Sequence, residues 1–229
     1  FKYGPEFSFY SHGVSIGCIY NIRNQPFMLF MGWQVREDKH WRGDIGRLKI
    51  IDNNRLEIDS ENAFISEDAE DEISFSYPWV IYDNGLYKMW YGSTLAWTSE
   101  NHEMIHVIKY ATSLDGEKWQ KQGIAIPYEI GVAQAFSRPT VLKDIDGYKM
   151  WYSYRSGDGT KYRIGHSSSC DGIQWIRHDN SCIDVSSEGW DSEMICYPFV
   201  LNHKGNTYML YNGNDYGRHG FGLAVLERE

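Results

Sequence analysis

Short runs in which large apolar and polar residues alternate recur along this chain, each followed by Gly, Ser or Asn. One reads Tyr87-Lys88-Met89-Trp90-Tyr91 and another Tyr148-Lys149-Met150-Trp151-Tyr152. A two-residue period predicts strands with both faces dressed. The runs are copies of one phrase. Tyr77-Pro78-Trp79-Val80 precedes the first and Arg138-Pro139-Thr140-Val141 the second. Tyr197-Pro198-Phe199-Val200 precedes a third run, Tyr208 to Tyr211. In all three, proline and closing tyrosine stand 13 residues apart, and a weaker copy runs from Cys18 to Met31 at the same spacing. The four anchors follow one another by 60, 61 and 59 residues. Self-similarity at a fixed period predicts a repeat architecture.

The third repeat shows the unit. Gln134 to Val141 is an apolar run, Asp146-Gly147 a hairpin signal, and Tyr148 to Tyr154 a second strand. A turn at Gly157-Asp158-Gly159 leads to a third strand, Tyr162 to Ser168. Asp171-Gly172 turns into a fourth, Ile173 to Arg177. Four antiparallel strands per repeat predict an all-β fold, a β-propeller of four-stranded blades. Ser113-x-Asp115-Gly116-x-x-Trp119 matches Ser169-x-Asp171-Gly172-x-x-Trp175. In this pattern Asp accepts backbone N–H groups, Gly takes a positive φ and Trp packs between blades, so these acids are structural. Trp90, Trp151, Tyr91 and Tyr152 repeat, which makes them core. The repeats fall at roughly 13–72, 73–132, 133–190 and 191–229 of one propeller domain. The last has room for three strands.

With 229 residues, 42% of them hydrophobic, the chain can bury a sizeable core. Its formal net charge of −9 argues against a nucleic-acid partner. It has no apolar run long enough to insert in a membrane as a helix. Cys18, Cys170, Cys182 and Cys196 form no Cys-x-x-Cys pair and the histidines no zinc-spaced pair, so no metal and no cofactor is expected. Four free, buried or half-buried thiols fit a reducing, cytoplasmic compartment. The acidic segment Asp59 to Glu72 reads as a solvated loop between blades. Trp97 to Met104 is a polar insertion, either a pocket wall or a plain surface loop.

Together, Tyr-Pro-x-Val…Tyr-Lys-Met-Trp-Tyr, Ser-x-Asp-Gly-x-x-Trp and the ending Asn212-Gly213-Asn214-x-x-Gly217 to Ala224 resemble the five-bladed propellers of the glycoside hydrolase 43/32/130 superfamily. Within it the chain is most similar to glycosidase-like proteins encoded among polysaccharide biosynthesis genes. The resemblance runs from Gly13 to Leu226. It implies a five-bladed fold with about four blades in this chain and one upstream of Phe1, and a carbohydrate ligand in a central funnel lined by the first strand of each blade. It also implies acids from three blades, the Asp members commonly just before the inner-strand proline, with a Glu as general acid. Here those places hold Gly17, Tyr77, Arg138 and Tyr197, none of them an acid. Two functions stay open. One is a glycoside hydrolase or phosphorylase-like enzyme acting on a bacterial surface carbohydrate. The other is a non-catalytic glycan-binding or interaction module of a larger polysaccharide-biosynthesis protein.

Strand alternation would place Tyr197, Ile195 and Glu193 on one face, likewise Arg138, Phe136 and Gln134, and likewise Tyr77, Phe75 and Ile73. Glu193 is the one acid among these and the first candidate for catalysis; the alternative is a Glu that caps the strand or pairs with Arg138. Asp191 comes second, against a role as a turn residue. Arg138 on an apolar strand needs a partner, either Glu193 or an anionic group of a substrate. Tyr77 and Tyr197 share its place in the repeat. Tyr154, Arg155, Trp33, Asn212 and Asp215 lie at the ends of second strands, where aromatic, amide and charged groups suit sugar stacking and hydroxyl recognition.

Overall fold

The computed structural model describes the whole chain except residues 38, 54, 158, 179–181 and 228–229. It is built of antiparallel sheets. The first contains β1 (Gly13–Ile22), β2 (Gln25–Gln34), β3 (Arg42–Asp52) and β4 (Arg55–Ile58), paired in that order. β5 (Phe75–Asp83), β6 (Leu86–Ala96), β7 (Ile105–Ser113) and β8 (Gln120–Ile124) pair in sequence as the second blade. The third is β9 (Ala135–Asp144), β10 (Gly147–Arg155), β11 (Arg163–Ser169) and β12 (Ile176–Arg177). The last, β13 (Cys196–His203), β14 (Asn206–Asn212) and β15 (Phe221–Val225), has three strands. The chain divides into two compact units, Phe1–Trp97 with Ile105–Ile124, and Thr98–Met104 with Ala125–Glu229. The first two blades lie in the first unit and the other two in the second. The fourth strand of the third blade is shorter than expected, because Ile173 and Gln174 give their N–H groups to Asp171 in the turn. The turn expected at residues 157–159 includes Asp158, which lies outside the described residues.

The alternation that predicts the strands also builds the cores. Along β6, Tyr87, Met89 and Tyr91 join Leu29, Ile45, Phe75 and Ala111 in one buried cluster, while Trp90 is buried on the opposite face. In the second unit Ile164, Ile195, Val200 and Met209 form a further core. Trp151 is half-buried and packs at its edge, unlike the fully buried Trp90 with which it repeats. Cys170 is exposed, contrary to the expectation of four covered thiols, while Cys18 and Cys196 are buried. Burial pushes the Cys18 thiol up to about 12, against a small opposing effect from the Val80 N–H that it accepts.

One irregularity recurs in all four blades. The ladder slips within each first strand, so that two residues oppose one on the second strand, a β-bulge. Tyr77-Pro78 faces Tyr91, Arg138-Pro139 faces Tyr152, and Tyr197-Pro198 faces Tyr211. Tyr77, Arg138 and Tyr197 have positive φ, at 32°, 51° and 57°. In the first blade the bulge is Gly17-Cys18, and it faces Leu29. The first hairpin is therefore shorter by one residue on each strand. Leu29, rather than Met31, is the counterpart of the repeat tyrosine, and Met31 rather than Trp33 stands level with Tyr154. Gly17 also sits where a Cβ would come 2.8 Å from the Pro78 carbonyl oxygen and 3.0 Å from that of Leu29.

The acidic segment 59–72 is more than a solvated loop. Asp71 is fully buried among Lys109 Nζ at 2.8 Å, Lys121 Nζ at 2.6 Å, and the Tyr91 and Ser93 hydroxyls, at 2.9 and 2.5 Å. Burial alone would raise its pKa, but the two ammonium groups and Ser93 outweigh it and hold the carboxyl below the ordinary range. Asp59 pairs with Arg47 and Lys49, and the Arg47 guanidinium lies between the rings of Phe27 and Phe64, at 4.4 and 4.2 Å.

Candidate functional site

The bulge decides what each first strand presents. Because two residues oppose one, alternation fails at the proline, and the faces drawn from simple counting break there. Phe75, Phe136 and Ile195 are completely buried, Phe75 stacked 5.8 Å from Tyr91 and Phe136 edge-on to Tyr152 at 5.3 Å. Tyr77, Arg138 and Tyr197 are half-buried. They are the repeat-variable residues that the bulges leave partly open, and in this chain they are two phenols and a guanidinium.

In the second unit the region around Tyr197 gathers several predicted residues. Tyr197 stacks on Tyr216, with ring centres 6.0 Å apart, and both lie 6.2 Å from Tyr162. Tyr162 is buried, Tyr197 half-buried and Tyr216 exposed, so the trio runs from the core to the surface. Tyr216 is set by the turn Asn214–Gly217, where Asp215 and Tyr216 have φ values of 54° and 58°. Asn212, at the end of β14, donates to the Tyr216 carbonyl at 3.0 Å. A Cβ on Gly217 would lie 2.7 Å from the Asn212 side chain, and φ there is +86°, so glycine is required. Asp215 is exposed in this turn.

Arg155 closes the trio on its buried side, its guanidinium 4.9 Å over the Tyr162 ring. It forks onto Glu103, with Nε 2.9 Å from Oε2 and Nη2 donating to Oε1 at 3.0 Å. Burial works against the charge of Arg155, yet Tyr162 and Glu103 hold its pKa above the ordinary arginine value. Glu103 belongs to the polar insertion, which hydrogen bonds hold in place. Buried Gln134, just ahead of β9, accepts from Asn101 Nδ2 at 2.6 Å and donates to Ser99 Oγ at 3.0 Å. Arg138 acts on Cys196, the neighbour of Tyr197. Burial pushes the Cys196 thiol up to about 12, and the charge of Arg138 pulls the other way.

The two candidate acids differ. Glu193 lies ahead of β13, in the approach to the strand rather than on it, and is exposed. Its backbone is held on both sides: its N–H donates to Asn214 Oδ1 at 2.9 Å, and its carbonyl accepts from Arg163 Nη1 at 2.9 Å. Asp191 is buried and accepts the Tyr211 hydroxyl at 3.0 Å. Burial first, and then this bond and charge, push Tyr211 up to about 12. Asp71 makes the same bond to Tyr91. Both acids stand seven residues ahead of their anchor prolines, so the bond of Asp191 is one that two blades share.

Tyr154 packs on Tyr152 at 6.4 Å, with the Arg177 guanidinium 6.0 Å from its ring. Trp33 and Tyr77 belong to the first unit, Trp33 packing beside Gly13 and His12. Sequence reasoning missed Tyr162 and Tyr216, since neither occupies a repeat position. The available signal was their place in the segments that follow second strands, beside Arg155 and Asn212.

No family profile matches the chain. Two Mycobacterium tuberculosis proteins, uncharacterized protein Rv1502 of strain H37Rv and uncharacterized protein MT1551 of strain CDC 1551, are 42% identical to it over 217 residues. The match covers 94% of this chain and 72% of each of them. The chain belongs to their family. Among solved structures, one described as a glycoside hydrolase matches 98% of this chain and 72% of its own, with a TM-score of 0.76 and 16% identity. The β-1,2-mannobiose phosphorylase of Listeria innocua matches 94% and 74%, with a TM-score of 0.68 and 13% identity. The GH32 β-fructofuranosidase BmSUC1 of Bombyx mori matches 87% and 43%, at 0.66 and 12%. The fold is that of the glycosidase-like propellers, as the repeat implied. No helix among the described residues is long and apolar enough to cross a membrane.

Proposed function

We propose that this propeller binds a carbohydrate through Tyr197, Tyr216, Arg138 and Arg155, and that binding rather than hydrolysis is its principal activity. One observation carries this reading. The bulges leave the residue before each anchor proline partly open, and here those residues are Tyr77, Arg138 and Tyr197. Phenol and guanidinium groups donate to sugar hydroxyls, and aromatic rings cover sugar faces. None supplies the two carboxyls, one protonated and one ionised, that glycoside hydrolysis uses. Asp191 is buried and bonded to Tyr211, which favours a role in the blade. The Listeria structure holds a disaccharide, β-1,2-mannobiose, in a similar fold, which supports a small oligosaccharide as the ligand class. The similarity to proteins encoded among polysaccharide biosynthesis genes points to a bacterial surface glycan or its precursor.

A specific observation favours a second reading. Glu193 is exposed next to the trio, with its backbone fixed by Asn214 and Arg163. In an enzyme it would be the general acid, and exposed Asp215, in the turn that carries Asn214, would be a second carboxyl. A glycan panel on the wild type, Tyr197→Ala and Glu193→Gln separates the two readings. Binding that Tyr197→Ala weakens by about tenfold or more, without turnover in wild type or Glu193→Gln, is expected. Turnover by the wild type that Glu193→Gln abolishes would establish the enzyme instead.

A further inference from the structure

The last blade ends in an open edge. The other blades each close with a fourth strand, but β15 is the outermost strand of a three-stranded sheet. Its register on β14 pairs Tyr208 with Val225, Leu210 with Leu223 and Asn212 with Phe221. Just beyond it, the Leu226 N–H donates to the Thr207 carbonyl at 2.9 Å. Backbone polar groups alternate sides along a strand, so Leu226, Ala224 and Gly222 turn theirs towards β14. The N–H and carbonyl groups of Phe221, Leu223 and Val225 therefore point outward, where no strand among the described residues pairs with them.

The side chains of the same three residues share one face and are 70%, 60% and 51% exposed. Their neighbours across the ladder on that face, Leu210 and Tyr208, are half-buried. The opposite face, with Val200, Met209 and Ala224, is the one packed in the core. Outer strands are normally blunted by charge, by proline or by shortness. The fourth strands of the other blades obey that rule: β12 has two residues, β4 carries Arg55 and Glu57, and β8 carries Lys121. From Phe221 to Leu226 the last blade has neither a charge nor a proline. Charge begins at the two ends of this run, with opposite sign. Arg218 and His219 precede it and Glu227 follows it, all three exposed.

We propose that this edge pairs with the same edge of a second copy of the chain, antiparallel about a two-fold axis at Leu223, so that two three-stranded sheets become one. The pattern is self-complementary, as a two-fold contact requires. With Leu223 on the axis all the residues of β15 overlap, and Phe221 of one copy lies opposite Val225 of the other. The outward backbone groups of each strand then meet those of its neighbour, and the exposed apolar side chains join in one strip. The end charges choose the direction. An antiparallel neighbour sets Arg218 and His219 beside Glu227, whereas a parallel one would set like charges together. The proposal does not depend on the carbohydrate reading.

The test is sedimentation equilibrium of the whole chain across a wide concentration range, joined to residue-resolved amide hydrogen exchange, with circular dichroism as the control for folding. The wild type should form dimers. As it does so the amides of Phe221, Leu223 and Val225 should gain protection, while β14 protects those of Gly222 and Ala224 in monomer and dimer alike. Leu223→Lys puts two ammonium groups at the axis and should weaken dimerisation by about tenfold or more. Arg218→Glu and Glu227→Arg should each weaken it by about two- to tenfold, and the double variant should recover the loss. A wild type that stays monomeric at every concentration would overturn the second copy and leave the edge to some other strand. Dimers that Leu223→Lys leaves intact, or that form without protecting the three outward amides, would place the contact elsewhere and overturn the proposal as well. Additive losses in the double variant would overturn the antiparallel arrangement.

Discussion

Asp71 shows what a single residue contributes here. It is a carboxylate with no exposed side-chain surface, held by two ammonium groups and two hydroxyls. Removing one partner from a buried ion cluster leaves the rest uncompensated. Asp71→Ala should therefore lose about 3–5 kcal/mol in urea unfolding, well beyond a surface substitution. The pH dependence has a definite sign. A depressed carboxyl stabilises the fold fully above its unfolded pKa, near 4, and that contribution disappears as pH falls through the lower folded value. Stability of the wild type should thus decline as the solution is acidified below about pH 4, and Asp71→Asn should flatten the decline. An equal slope in both proteins would show that other carboxyls carry it. Asp115 obeys the same sign. Backbone N–H groups of Lys118 and Glu117, with Ser113, lower it to about 2, which bears out the turn role read from its Asp-Gly motif.

At the level of elements, the bulge is the device to probe. A left-handed residue ahead of a proline is unfavourable, since proline ordinarily pushes its predecessor towards extended backbone. The conformation recurs in three blades, so it belongs to the architecture, while the side chain on it is free to vary. Arg138→Gly should keep stability within about 1 kcal/mol, because glycine relieves the strain at a comparable entropic cost. If Arg138 serves a ligand, the same variant should lose glycan affinity while folding normally. Gly17→Ala is the opposite case. A Cβ would press on two carbonyl oxygens, and a loss of roughly 1–3 kcal/mol is expected in chemical denaturation. The bulge also explains the limits of reading faces by counting. Alternation holds along Tyr87, Met89 and Tyr91, where the ladder is regular, and fails from Tyr77 back to Phe75, where one extra residue turns the pattern over.

For the whole molecule, carbohydrate binding has a thermal readout. A ligand at a hundred times its Kd stabilises the folded state by about 2.7 kcal/mol, a rise in Tm of roughly 5–10 °C for a chain of this length. The wild type should show that rise with the preferred glycan and Tyr197→Ala should not. The sequence by itself determined the repeat, the strands within it, the turn acids Asp115 and Asp171, and the propeller family. These follow from local rules of period, turn chemistry and spacing, which do not depend on distant contacts. It also marked Tyr77, Arg138 and Tyr197 as the letters that vary before the anchors. Only the tertiary structure decided which acids are buried, because Asp71 and Asp191 look like any loop carboxylate until tyrosines from a second strand reach them. It likewise assembled Tyr162 and Tyr216 beside Tyr197, and placed Trp97 against His40 and Trp41. Those contacts join residues tens of positions apart in loops that carry no period, so nothing in the one-dimensional pattern encodes them.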